Sequence, residues 1–282
     1  MDPDAPLPEF DAAFGDRIAA ARDRLRPLAR PFAPWQVTGG TPQPLGSRIG
    51  GPVPWPADRA MPRDRTGAPL GLALQVDLSA VPADLGLPRA GLLQLFLGPE
   101  ITRRPITFLR EYRTDDAFPL ARGDGWDLAL HPDPAALTLH PNAPAPDTDP
   151  VIWPDAHAAG YALSFDHGET VLPPPTHWQG APELEPFEEA LADIDGEALH
   201  QHLMQRIWSD QFLGNGVGGF HEPLQLDQRT FFEEYRRYDR CLIRLSDERG
   251  LELGDMPYAV LIPSEAWAEG RVDDAVLVMD AD

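Results

Sequence analysis

The sequence predicts a β-rich α+β fold built on an internally duplicated β-unit, with mixed or antiparallel sheets and a few peripheral helices. Three observations predict it. A motif occurs twice: Ile49-Gly50-Gly51-Pro52-Val53-Pro54-Trp55-Pro56 precedes two apolar runs at 73–78 and 91–96, and Val217-Gly218-Gly219-Phe220-His221-Glu222-Pro223 precedes two more at 241–245 and 257–262. The chain carries 33 prolines in 282 residues, and proline removes a backbone donor, which favours loops and strand ends over long helices. Short apolar runs separated by Gly and Pro dominate, with little helical period. The two copies span about 47–113 and 213–280, within a single domain of residues 1–282.

Each element follows in order. Residues 8–30 are expected to form an amphipathic helix, with Phe10, Phe14, Ile18, Ala21, Leu25 and Leu28 recurring at three- and four-residue steps and Pro31 and Pro34 ending it. Gly50-Gly51 before Pro52 predicts a turn with positive φ, and Trp55 between two prolines reads as a bulky plug at a strand corner. Leu72–Leu78, Gly91–Leu97 and Pro105–Tyr112 read as strands. Gln75 and Gln94 lie inside two of them, and a buried amide must find partners or cost about 1–3 kcal/mol. Their default role is structural, bonding each other or nearby backbone; lining a pocket is the minor reading. Residues 131–154 are proline-rich and read as a boundary or ordered loop. Glu183–Gln211 carries a helical apolar pattern, Thr230–Arg240 reads as a shorter helix, and strands at 241–246, 257–262 and 274–279 close the chain.

The formal net charge is −22, from 45 acidic and 23 basic residues, and every basic residue is Arg. Such a field argues against nucleic acid, whose phosphates need a basic footprint, and against an anionic membrane surface. It suits a basic partner. The single Cys241 sits in an apolar run and is expected to be a buried, inert thiol. The N-terminus lacks signal-peptide features and no apolar run reaches the ~18 residues of a span, so a cytoplasmic location is expected.

Several spaced motifs resemble the YwqG-like family, the DUF1963 domain family. They are Ser47-Arg48-Ile49-Gly50-Gly51-Pro52, Trp55-Pro56, Gly67-Ala68-Pro69-Leu70, Leu74-Gln75-Val76-Asp77-Leu78, Leu87-Pro88 and Gly91-Leu92-Leu93-Gln94-Leu95-Phe96, followed by Gly218-Gly219, Gln225-Leu226-Asp227 and Gly254-Asp255. The chain departs from the pattern at Arg244, where Gln is usual, at Leu253, where Trp is usual, and at Pro257, where Gly is usual. The resemblance implies a duplicated β-rich α+β fold and carries over no catalytic residue. It also implies bacterial settings in which toxin-neutralising immunity proteins are suspected.

Candidate chemistry is sparse. Gly214, Gly216 and Gly219 match G-x-G-x-x-G, but a dinucleotide fingerprint needs a strand before it and a helix after it; a helix end and loop are expected instead. His157, His167 and His177 lie near Asp155 and Asp166 in sequence, yet solvated loop histidines are the simpler reading and no metal or other cofactor is assigned. Neither a G-x-S-x-G elbow nor a P-loop is present, so no catalytic residues are assigned. Two functions compete. The first is a non-enzymatic acidic binding protein, inhibitor or immunity-like, that captures a basic protein. The alternative is an enzyme or small-ligand receptor with a pocket between the repeats, lined by Trp55, Gln75, Gln94, Gln225, Asp227, Arg229, Arg244 and Asp255.

Overall fold

Short apolar runs give thirteen strands among the residues that the computed structural model describes: 23, 26–98, 101, 120–142, 159–166, 169–171, 214–221, 233–246, 253 and 258–279. They are β1 (Arg30–Val37), β2 (Arg48–Ile49), β3 (Val53–Trp55), β4 (Gly71–Asp77), β5 (Leu92–Leu97), β6 (Trp126–His131), β7 (Thr138–His140), β8 (Tyr161–Phe165), β9 (Glu169–Val171), β10 (Gly216–Gly218), β11 (Arg240–Leu245), β12 (Tyr258–Ile262) and β13 (Val276–Met279). Ten of them form one antiparallel path, β13-β12-β11-β10-β1-β8-β2-β4-β5-β6, with β9 paired to β1. The path nearly closes. Leu120, just before β6, exchanges both backbone hydrogen bonds with Leu277 of β13, at 2.8 and 3.2 Å. Closure leaves few unpaired edges to solvent.

The enclosed face carries the main core. Leu93, Leu95 and Leu97 of β5 point into it, with Leu74, Trp126, Leu128, Val217, Ile243, Tyr258, Val260 and Leu277 from the surrounding strands. The Trp126 indole, fully buried, donates to the Leu120 carbonyl at 3.1 Å, which settles its only polar atom. The outer face of β4 and β5 is covered locally by the separate β3–β7 pair, where Val53, Trp55, Leu70, Leu72 and Phe96 make a second, smaller core.

β1 lies at the middle of the path and pairs on both sides. On the β8 side Trp35 opposes Phe165 and Val37 opposes Leu163, with Gln36 and Ser164 between them. Thr38 N reaches Ala162 O at 2.8 Å, and Asp166 N reaches Pro34 O at 3.0 Å. Outward from this centre, β2-β4-β5 and β10-β11-β12 show the same details. Gly50 and Gly51 have φ of 61° and 76°, Gly218 and Gly219 of 83° and 69°. The register shifts between Leu72 and Leu74 in β4, and between Cys241 and Ile243 in β11. Ser47 Oγ accepts from Asp77 N at 2.9 Å, while Asn215 Oδ1 accepts from Ser246 N.

Five expectations change at the level of elements. The helix expected over 8–30 ends differently: Arg26–Leu28 is a 3-10 turn and β1 already begins at Arg30. Pro27 denies the helix a donor there. Pro31 and Pro34 belong to the strand because their carbonyls still serve it, accepting from Gly219 N and Asp166 N. Most of that expected helix, residues 105–112 and residues 183–211 lie outside the described residues. Within 233–240 the expected helix reduces to a 3-10 turn at Glu233–Tyr235 before β11. A short helix, α1 (Ser264–Ala268), was not expected; it follows Pro263 and buries Ala266 and Trp267. The last strand starts at Val276 rather than 274, after a 3-10 turn over Val272–Asp274. Gly216–Gly218, expected in a loop, is strand, and no helix follows it before His221. The dinucleotide geometry is therefore not met there. Cys241 is buried, as expected.

Candidate functional site

Gln75 and Gln94 stand directly opposite each other on β4 and β5, and Arg48 on β2 stands opposite Gln75. Period-two alternation puts all three on the outer face, under the loop that runs from Gln43 to Trp55. His131, at the end of β6, joins the row beside Gln94. All four side chains are buried.

Their polar atoms are matched in detail. Gln94 Nε2 donates to Gln75 Oε1 at 2.9 Å and to Pro54 O at 3.1 Å. Gln75 Nε2 donates to Gly46 O at 2.8 Å and to Pro44 O at 3.2 Å. Arg48 donates to Gln75 Oε1, to Gln43 O and, through Nη2, to Pro52 O; its Nε is buried with no hydrogen-bond partner among the described residues. The row of side chains thereby supplies donors to the carbonyls of Gln43, Pro44, Gly46, Pro52 and Pro54. His131 Nε2 lies 3.0 Å from Gln94 Oε1, and an acceptor there requires the neutral ring to carry its proton on Nε2. Burial, and secondarily the charge of Arg59, hold the His131 pKa below its ordinary value. Burial lowers Arg48 to about 10, still far above neutrality, so it remains cationic. Trp55 meets the His131 ring edge-on at 4.9 Å and Phe96 at 5.4 Å, and its indole donates to Ala60 O at 3.1 Å.

The fold thus gathers Trp55, Gln75 and Gln94 of the expected site residues, with each Gln committed to the other and to backbone. Arg244 is elsewhere, on β11 opposite Gly216. Gln225, Asp227, Arg229 and Asp255 lie outside the described residues. Sequence reasoning missed Arg48 and His131 as members of the row. The signal for Arg48 was its place one residue before Ile49, on the face opposite the apolar one; His131 had none, because its neighbours across strands are known only from pairing. Among the described residues, no group of three or more His, Cys, Asp and Glu is arranged to hold a metal. There, too, no helix is long and apolar enough to cross a membrane.

A second place has open space. A cavity of about 160 Å³ lies where the turn after β4 meets β1, β10, β11 and α1. Leu85, Leu87 and Leu242 form its apolar wall, and Arg30, Asp239, Arg240 and Ser264 its polar one. Arg30 is fixed by a 2.8 Å bond to Asp239 O and by stacking over the Phe220 ring at 4.5 Å. The Asp239 carboxylate is engaged by Ser264 N and Ser264 Oγ, each at 2.8 Å. Sequence reasoning named neither arginine, since nothing local distinguishes them from the exposed ones.

The family profile of a domain of unknown function, DUF1963, matches residues 47–281. No curated protein matches the chain.

Proposed function

The chain belongs to the DUF1963 family, and from that premise we propose that it is a non-enzymatic acidic binding protein, inhibitor or immunity-like, that captures a basic protein. The observation that carries this reading is the net charge of −22. Its local expression is the edge formed by α1 and the turn at 272–274. Glu265, Glu269 and Asp273 are exposed there, with Asp127 and Asp274 beside them. Among the described residues only Arg122 and Arg271 pair with these carboxylates, Arg122 with Asp127 and Asp273 and Arg271 with Glu269 and Asp274. Exposed pairs of this kind add little stability and leave a field that attracts cationic surfaces.

Affinity capture from native lysate tests it. The expected result is one stoichiometric partner of basic composition that elutes between about 0.05 and 0.5 M salt, where screening shortens from over 10 Å to under 5 Å. Capture should weaken in a Glu265→Arg, Asp273→Arg variant. Retention that salt leaves unchanged, or the absence of any basic partner, would defeat the proposal.

The finer fold description belongs to the same proposal: a YwqG-like, α+β protein of the cytoplasm with internal duplication. The matched registers support the duplication. Gln75 faces Arg48 as Arg244 faces Gly216, and the paired glycines, the strand irregularities and the Ser47 and Asn215 bonds recur in step. The helical part of the assignment rests on segments outside the described residues. A second reading, a small-ligand receptor with its pocket between the repeats, is favoured by one observation: the cavity is walled by Leu85 and Leu87 from the first unit and by Gly218, Arg240 and Ser264 from the second.

A further inference from the structure

Arg240 is the unexplained group of the cavity. It is half-buried, and among the described residues its guanidinium makes one hydrogen bond, to Leu85 O at 3.5 Å, and no ion pair. That distance is at the outer limit of a useful bond. Its neighbour Asp239 also lines the cavity, but both of its carboxylate oxygens accept from Ser264, through N and Oγ. Burial depresses the Arg240 pKa, and the charge of Asp239 offsets only part of that effect. Gly86, with φ of 65°, leaves the guanidinium room: a Cβ there would lie 3.3 Å from Nη2. A partly desolvated, donor-rich fork facing an open space is suited to a bidentate oxyanion.

Resting on the receptor reading, we infer that this cavity binds a small ligand with an oxyanion head, carboxylate or phosphate, on a short apolar body. Arg240 receives the head, Arg30 adds positive potential from a fixed position, and Leu85, Leu87 and Leu242 cover the body. The volume of about 160 Å³ is close to the roughly 150 Å³ known to admit a six-carbon ring in another protein.

Titration calorimetry with the full chain tests this, using benzoate and its neutral isostere benzamide, with inorganic phosphate in a separate titration. Benzoate is expected to bind at least tenfold more tightly than benzamide, and Arg240→Gln to weaken benzoate at least tenfold while leaving the weak benzamide affinity in place. Leu87→Trp, which fills the cavity and keeps Arg240, should abolish both. Phosphate binding that Arg240→Gln removes would assign the head group to phosphate if it is tighter than benzoate, and to carboxylate if it is weaker. Equal affinity for benzoate and benzamide would overturn the oxyanion site and leave the receptor reading standing. Binding of none of the three would overturn both.

Discussion

Gln94 donates to Gln75 across the β4–β5 pair at 2.9 Å, and through that bond a glycine- and proline-rich loop is fastened to the outside of the sheet. Gln75 holds the carbonyls of Pro44 and Gly46, and Gln94 holds that of Pro54. The two amides act as one clasp, because each satisfies in the other what water would supply. Gln75→Leu should cost about 2–4 kcal/mol, as it strands donors and acceptors in a buried site. Gln94→Leu should cost about as much, and the double variant less than the sum of the two. Urea unfolding of the four proteins measures the coupling; strict additivity would show that the amides act separately.

Glycines that look alike in sequence should differ in tolerance. Gly51 and Gly67 both have positive φ. A Cβ at Gly51 would lie 2.7 Å from Ala159 O, whereas nothing lies within 4 Å at Gly67. Gly67→Ala should therefore cost only the left-handed penalty of about 1–2 kcal/mol, and Gly51→Ala distinctly more. Thermal unfolding of both variants decides the ranking.

Ser47 and Asn215 do the same task at matching places, accepting from the backbone N–H of Asp77 at the end of β4 and of Ser246 just after β11. Ser47→Ala and Asn215→Ala should each lose about 1 kcal/mol. Asn215→Ala should lose more of the two, because Asn215 Oδ1 also accepts from Ser246 Oγ at 3.1 Å. Chemical denaturation provides the comparison, and no loss at either position would refute the assigned bonds.

The buried His131 should make the fold acid-sensitive. Its pKa in the folded protein is lowered, so the unfolded chain takes up the proton first as the pH falls through the ordinary imidazole value of about 6.5. The contribution is fully present above that pH and is lost as the pH falls toward the lowered folded value. Stability relative to His131→Gln should accordingly decline from pH 7 to pH 5, read as the difference in urea midpoints. A difference that is flat across this range would show that the ring titrates normally.

Much of the strand framework was legible because the signals are local. Short apolar runs mark β4, β5, β11 and β12 within one or two positions, and the Gly50-Gly51 corner has the positive φ expected of it. The mutual role of Gln75 and Gln94 followed from the cost of burying an unpaired amide. Pro31 and Pro34, read as helix stops, also sit in a strand paired on both sides, because their carbonyls find donors there.

By itself, then, the sequence determined a β-rich chain of short strands, the two glycine corners and the burial of Cys241, since each depends on neighbours within a few positions. Only the tertiary structure decided the near-closure through Leu120 and Leu277, the row that joins Arg48 to His131, and the cavity that faces Arg30 and Arg240 toward each other's neighbourhood. The residues in each of these lie dozens to over two hundred positions apart. Strand order brings them together, and strand order is set by the packing of the whole sheet rather than by any local pattern.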